Sequence, residues 1–225
     1  MNSNELFIFT INEDSLFIFT IEVLGTIAFA ISGIRLAAAK RFDWFGAYVV
    51  GLITAIGGGT LRDVLLGIPV FWMQTGMYLS VTFISLVTVI IFRKALVKGM
   101  RTVFLFDAIG LGLFVVVGIE KTFVAGYPAW VAIVMGIITG SFGGITRDIL
   151  INEEPLFFRK DIYATACLFG GLMYWFLTFI PGINVLIPQL VCAFSVVGLR
   201  IVAVHYKWSL PILEVNPEDL PEENI

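Results

Sequence analysis

Apolar residues in this chain come in long runs, with polar residues gathered in short clusters between them. Runs of about 17–20 apolar residues recur, the length a helix needs to cross a bilayer core. In lipid every backbone N–H and C=O must be satisfied within the protein, which leaves helices or closed barrels. A barrel strand alternates apolar and polar residues, and segments such as Leu111–Ile119 do not. We place seven spans at Ser15–Ile34, Trp44–Leu66, Gly76–Phe92, Val103–Ile119, Pro128–Ile151, Ile162–Ile180 and Ile183–Val204. Pro181 and Gly182 alone separate the last two, which predicts a tight turn between antiparallel neighbours.

Self-similarity organises these spans. Shifted by 85 residues, Glu22–Leu65 aligns with Asp107–Leu150 without a gap, and fourteen of the 44 positions are identical. Matches among Ile, Val and Ala arise by chance in an apolar chain. The five matched glycines (Gly25/Gly110, Gly33/Gly118, Gly51/Gly136, Gly58/Gly143, Gly59/Gly144) and the Thr54/Thr139, Arg62/Arg147 and Asp63/Asp148 pairs do not. Glu22 also meets Asp107, acid for acid. Each repeat holds three spans, and an odd number reverses the chain across the membrane. The expected fold is therefore an all-α integral membrane protein of seven transmembrane helices: two inverted three-helix repeats plus one C-terminal helix. The predicted boundaries are an extracytoplasmic segment 1–14, a first repeat 15–101, a second repeat 102–181, a seventh helix 182–208 and an acidic cytoplasmic tail 209–225.

Composition agrees: of 225 residues 59% are hydrophobic and 14% charged, with a mean hydropathy of +0.97. A soluble domain would carry more charge. The net charge of −3 argues against a nucleic-acid partner, which would want a basic face. Cys167 and Cys192 both lie in apolar runs and read as small hydrophobes. The first run follows Glu5, Glu13 and Asp14 instead of a basic segment, so it is expected to be a retained helix and not a signal peptide. Eleven of the 14 basic residues (Arg35, Lys40, Arg41, Arg93, Lys94, Lys98, Arg101, Arg159, Lys160, Arg200, Lys207) fall on one side of a seven-span topology, and Lys121 on the other. The excess of lysine and arginine in cytoplasmic loops then sets the N-terminus outside and the C-terminus in the cytoplasm.

The candidate chemistry lies inside two spans, in Gly57-Gly58-Gly59-Thr60-Leu61-Arg62-Asp63 and Gly143-Gly144-Ile145-Thr146-Arg147-Asp148. Glycine costs about 1 kcal/mol relative to alanine in a helix interior. Consecutive glycines are therefore expected to break both helices and free carbonyls for a cation, or amides for an anion. An intramembrane charge costs on the order of 3 kcal/mol unless paired or hydrated, so each arginine is expected to pair with an aspartate. Such pairs either line a hydrated ion path or bolt the repeats together, and the glycines either open a helix or let helices pack closely. Glu22 reads as a helix-start carboxylate; Asp107 reads equally as that or as a cation attractor. His205 reads as interfacial, and the aromatic residues as lipid-facing surface. There is no HExxH, CxxC or GxSxG, so an intramembrane hydrolase has little support and no enzyme is expected. No cofactor and no fixed metal is expected, only a transient monovalent cation near Gly58 and Gly143.

The doubled Gly-Gly-x-x-Arg-Asp, the Phe106-Asp107-Ala108-Ile109-Gly110 start of span four and the 3+3+1 layout resemble the bacterial branch of the trimeric intracellular cation channel (TRIC) superfamily, also labelled as a glycine-transporter-domain family. The resemblance covers roughly residues 15–205. It implies a homotrimer in the bacterial inner membrane, surrounded by lipid, with one potassium-selective path per protomer. That path is expected between the glycine-broken second and fifth helices, past Gly57, Gly58, Gly59, Arg62, Asp63, Asp107, Gly143, Gly144, Arg147 and Asp148. The alternative the family label implies is a secondary transporter of glycine or a similar small solute.

Overall fold

The computed structural model describes residues 13–92, 100–159 and 161–211. Among them are seven α-helices: α1 Glu13–Ala39, α2 Trp44–Leu66, α3 Met77–Ile91, α4 Met100–Val124, α5 Ala129–Leu150, α6 Ala164–Thr178 and α7 Leu186–Tyr206. A single 3-10 turn, Phe71–Met73, lies between α2 and α3. Five helices are long and apolar enough to cross a bilayer. The other two, α3 and α6, are 15 residues each, about 22 Å of helix. The chain is thus an all-helical membrane protein. The segment 1–12, most of the predicted acidic tail, and Arg93, Lys94, Lys98 and Lys160 lie outside the described residues.

Local sequence explains the helix ends. The Asp43 carboxylate accepts the Gly46 N–H at 2.7 Å and caps α2. At the far end Gly67 turns left-handed (φ 69°), and Ile68 N–H reaches back to the Asp63 carbonyl at 3.0 Å. The end of α5 is built in the same way 85 residues later: Asn152 has φ 55°, and Glu153 N–H donates to the Asp148 carbonyl at 2.8 Å. Gly182 (φ 74°) makes the expected turn between α6 and α7.

Three expectations need correction. Both glycine runs lie inside uninterrupted helix, so α2 and α5 are not broken at Gly57–Gly59 or Gly143–Gly144. The propensity penalty of two or three glycines is smaller than what tight packing against a neighbouring helix returns. Second, α1 and α4 extend past Ile34 and Ile119, which carries Arg35 and Lys121 into helix. Arg35 and Arg200, expected as cytoplasmic charges, are buried at 6% and 2% exposure. Third, Phe29, Phe71 and Phe114 belong to the core and not to the lipid face.

The core is reciprocal. Phe29 of α1 stacks on Phe114 of α4, with ring centroids 5.3 Å apart. Gly25 faces the Phe114 ring and Gly110 faces the Phe29 ring. Phe29 and Phe114, and likewise Gly25 and Gly110, are related by the repeat shift of 85 residues. Contacts of the form i to j and j to i are what a two-fold relation produces. Many large apolar side chains remain outward, among them Trp130, Phe194 and Phe176, a surface suited to lipid or to another copy.

Candidate functional site

The two glycine runs meet each other. A Cβ at Gly58 would overlap the Thr139 carbonyl, and one at Gly143 would overlap the Thr54 carbonyl. The absence of side chains therefore brings α2 and α5 into backbone contact. The expected gap between Gly58 and Gly143 is filled by the two threonine carbonyls, and both glycines are buried. Gly57, less buried, has Gly143 Cα at an ordinary contact distance of 3.5 Å from its notional Cβ. Gly59 packs under the Phe71 ring and Gly144 under the Tyr163 hydroxyl.

One turn beyond the glycines come the ion pairs. Arg62 grips Asp63 Oδ1 with Nε at 2.7 Å and Nη2 at 2.6 Å. The other Asp63 oxygen accepts the Phe71 N–H at 2.9 Å. In the second repeat Arg147 Nε holds Asp148 Oδ1 at 2.8 Å, and Asp148 Oδ2 accepts the Leu156 N–H at 3.1 Å. Each aspartate thus ties its arginine to the chain leaving the helix. Both arginines and both aspartates are at most 4% exposed.

Around these pairs sit two larger clusters. In the first, Glu22 accepts Lys121 Nζ at 2.6 Å and the Tyr78 hydroxyl at 3.1 Å. Phe71 lies between the cations, 5.7 Å from the Arg62 guanidinium and 5.2 Å from Lys121 Nζ. In the second, Arg147 Nη1 reaches both Asp107 Oδ1 at 2.5 Å and Ser32 Oγ at 2.9 Å. Arg200 Nη2 stands 3.8 Å from Asp107 Oδ2, its guanidinium packed on Tyr163. Each cluster contains two acids and two bases, so each is formally neutral, as charges buried in lipid must be. Glu22 and Ser32 lie ten residues apart on α1, which separates the clusters by about 15 Å along the helix.

Of the residues expected at the site, the structure brings the glycines together in one seam and distributes the charges between its two ends. Asp107 is a full cluster member, and so is Glu22, which the sequence reading took for a helix-start carboxylate. Lys121, Arg200, Tyr78, Tyr163 and Ser32 were missed. Tyr78 and Tyr163 are themselves 85 residues apart, so extending the repeat alignment beyond Leu65 would have exposed them. Nothing local marks Ser32 or Arg200, because their partners lie 115 and 93 residues away. A third polar group joins α4, α6 and α7, where Glu120 accepts the Tyr174 hydroxyl and Gln189 Nε2, each at 2.6 Å. Among the described residues no group of three or more His, Cys, Asp or Glu is placed to hold a metal ion.

Outside the spans, Lys40 Nζ lies 2.5 Å from Glu153 Oε1, a contact that holds the Glu153 carboxyl below its ordinary pKa. It ties the ends of α1 and α5 together, as the Asp161–Ser209 bridge ties the loop after α5 to the end of α7.

A family model described as "Glycine transporter" matches residues 19–94 and again 104–178, once in each repeat. The chain belongs to this family. The starts of the two matches differ by 85 residues (104 − 19), the shift of the internal alignment. The family's bacterial members include a UPF0126 membrane protein of Vibrio cholerae, 39% identical over 200 residues, covering 88% of this chain and 83% of that protein. The UPF0126 inner membrane protein YadS of Escherichia coli K12 is 45% identical over 157 residues, 68% of this chain and 75% of its own. Among solved structures, the TRIC trimeric intracellular cation channel orthologue from Rhodobacter sphaeroides superposes with a TM-score of 0.80 at 31% identity, covering 84% of this chain and 98% of that one. The family is thus the bacterial branch of the TRIC superfamily that the doubled motif resembles, and this structural neighbour is a cation channel orthologue.

Proposed function

We propose that this protein is a homotrimeric channel for monovalent cations, potassium above all, with one path in each protomer between two inverted repeats. One observation carries the reading. The two Gly-Gly-x-x-Arg-Asp segments meet reciprocally, with a neutral four-charge cluster at either end of their seam. The likeness to the R. sphaeroides channel supports cation conduction and trimer formation.

The chemistry suits a weakly hydrated cation. The Thr54 and Thr139 carbonyls at the seam are the type of ligand that replaces a potassium hydration shell. Asp63 and Glu22 at one end, and Asp148 and Asp107 at the other, attract cations, while the arginines hold the carboxylates in place and keep any single site from binding too tightly. In this conformation backbone contact closes the seam. Conduction requires α2 and α5 to part at the glycines, where no side chains interlock. The N-terminus is extracytoplasmic and the C-terminus cytoplasmic, in the bacterial inner membrane. The glycine-transport alternative needs a half-helix N-terminus for the substrate carboxylate; uninterrupted α2 and α5 offer none at the motif.

The test is recording from purified protein in planar bilayers under a KCl gradient. Single-channel currents reversing at a cation-selective potential are expected, with smaller conductance in Asp63→Asn and Asp148→Asn. Silence, or anion-selective reversal, would overturn the channel. Saturable glycine uptake in proteoliposomes, lost in Asp148→Asn, would establish the transporter in its place.

A further inference from the structure

The polar group shared by α4, α6 and α7 holds a charge that nothing balances. Glu120 Oε1 accepts both the Tyr174 hydroxyl and Gln189 Nε2 at 2.6 Å. Glu120 stands four residues before the end of α4, Tyr174 four before the end of α6, and Gln189 three after the start of α7. The group therefore lies about one turn inside one end of the bundle. Among the described residues Glu120 forms no ion pair. Its neighbour Lys121 is given to Glu22, and the arginines of the seam clusters to aspartates. From Ile162 to Leu199, which includes all of α6 and most of α7, the sequence has no Asp, Glu, Lys, Arg or His, and α5 has none from Ala129 to Thr146. The titratable groups facing Glu120 from its partner helices are Tyr174 and Cys192, and neither supplies positive charge. The two seam clusters are neutral. An ionised Glu120 would leave this third group at −1, an unfavourable state at membrane depth.

A second observation concerns its partner. Gln189 is 2% exposed, and its Oε1 is buried with no hydrogen-bond donor among the described residues. A carboxylate offers only acceptors and cannot satisfy that oxygen, whereas a neutral carboxylic acid carries one O–H donor. Exchanging the two ends of the amide does not help. Its oxygen would then face Glu120 Oε1 at 2.6 Å, acceptor against acceptor. An acid and a primary amide can instead meet edge to edge, each giving one hydrogen and taking one. A single proton on Glu120 thus removes the unbalanced charge and the stranded acceptor together.

We propose that Glu120 is a proton-binding site, a neutral acid whose Oε2–H donates to Gln189 Oε1 and so locks the hairpin of α6 and α7 onto α4. At high pH the proton passes to water. The carboxylate left behind has no base to face, draws water in and loosens the hairpin. The inference rests on the membrane reading of the fold and not on conduction, so its test can fail while the channel stands.

The test uses the full purified chain and its Glu120→Gln and Gln189→Met variants. Glu120→Gln is the neutral isostere of the protonated acid and keeps the pairing with Gln189. An infrared difference spectrum of parent minus Glu120→Gln near neutral pH is expected to show the carbonyl band of a protonated carboxyl, and Gln189→Met is expected to shift or remove that band. The melting temperature of Glu120→Gln is expected to match the parent near neutral pH. As pH rises from about 6 to about 9, the parent is expected to lose stability and the variant to hold steady, because the folded parent carries a proton that the unfolded chain has released. Absence of the band, or a Glu120→Gln variant that melts well below the parent, would overturn the bound proton. A band indifferent to Gln189→Met would overturn the pairing, and parallel pH profiles of parent and Glu120→Gln would overturn the switch.

Discussion

Arg147 Nη1 lies 2.5 Å from Asp107 Oδ1, across 40 residues of sequence and within the second repeat. The first repeat does not copy this bond. The counterpart of Asp107 is Glu22, which turns to Lys121 and Tyr78 and leaves Arg62 Nη1 without a hydrogen-bond partner among the described residues. The repeats share a frame, and their polar wiring has diverged.

This divergence predicts unequal mutants. Arg147→Ala takes the close cation from both Asp107 and Asp148, leaving Asp107 with Arg200 at 3.8 Å and Asp148 with the Leu156 N–H, while Arg62→Ala takes it from Asp63 alone, which keeps the Phe71 N–H. Removing one partner of a buried pair costs about 3–5 kcal/mol. Arg147→Ala is expected at or above the top of that range and Arg62→Ala below it. Thermal unfolding of the two purified variants, compared with the parent, decides the order; equal losses would contradict it.

Ser32 and Val117 occupy equivalent positions, and only Ser32 meets an arginine. Ser32→Val removes an acceptor from Arg147 and is expected to destabilise by about 1–3 kcal/mol. By the repeat relation Val117→Thr points a hydroxyl toward the unpartnered Arg62 Nη1, so it is expected to be tolerated although a buried hydroxyl is ordinarily unfavourable. A chemical-denaturation series on the two variants checks the sign of each change.

The seam predicts a steep contrast between adjacent glycines. Gly58→Ala and Gly143→Ala drive a methyl into a threonine carbonyl, an overlap expected to cost about 1–3 kcal/mol. Gly57→Ala meets ordinary van der Waals contact and gains helix propensity, so it is expected to be neutral or mildly stabilising. Melting temperatures that do not separate Gly57→Ala from the other two would refute the packing account.

Inversion of the repeats predicts that the ends of α1 and α4 face opposite compartments. Cysteines introduced at the exposed Lys40 and Val124 are expected to react with an impermeant maleimide from opposite sides of intact vesicles. Cys167 and Cys192 are buried and stay silent. Labelling of both new cysteines from one side would end the inverted arrangement.

Glu153 adds a small pH dependence. Its folded pKa is lowered by the Lys40 hydrogen bond, so the stabilisation is present above the unfolded value and is lost as pH falls through the folded one. Both side chains are more than 40% exposed, and solvent screening keeps the contribution small. The stability difference between parent and Glu153→Gln is expected to shrink as pH falls from 7 towards 4.

The sequence alone determined the membrane class, the seven helices, the repeat and the residues of its motif. Those features are written in local hydropathy and in identities at a fixed shift, and both survive without knowledge of the fold. It also determined that Arg62 and Arg147 must be paired, because lipid leaves a buried charge no other outcome. Only the tertiary structure decided with what. Ser32, Lys121 and Arg200 are ordinary residues in their own segments and acquire meaning through partners about 90 residues or more distant. The glycines were legible as special but ambiguous, since a missing side chain both weakens a helix and lets another approach it. The approach of α5 to α2, backbone against backbone, made the packing worth more than the propensity lost, and so kept both helices whole.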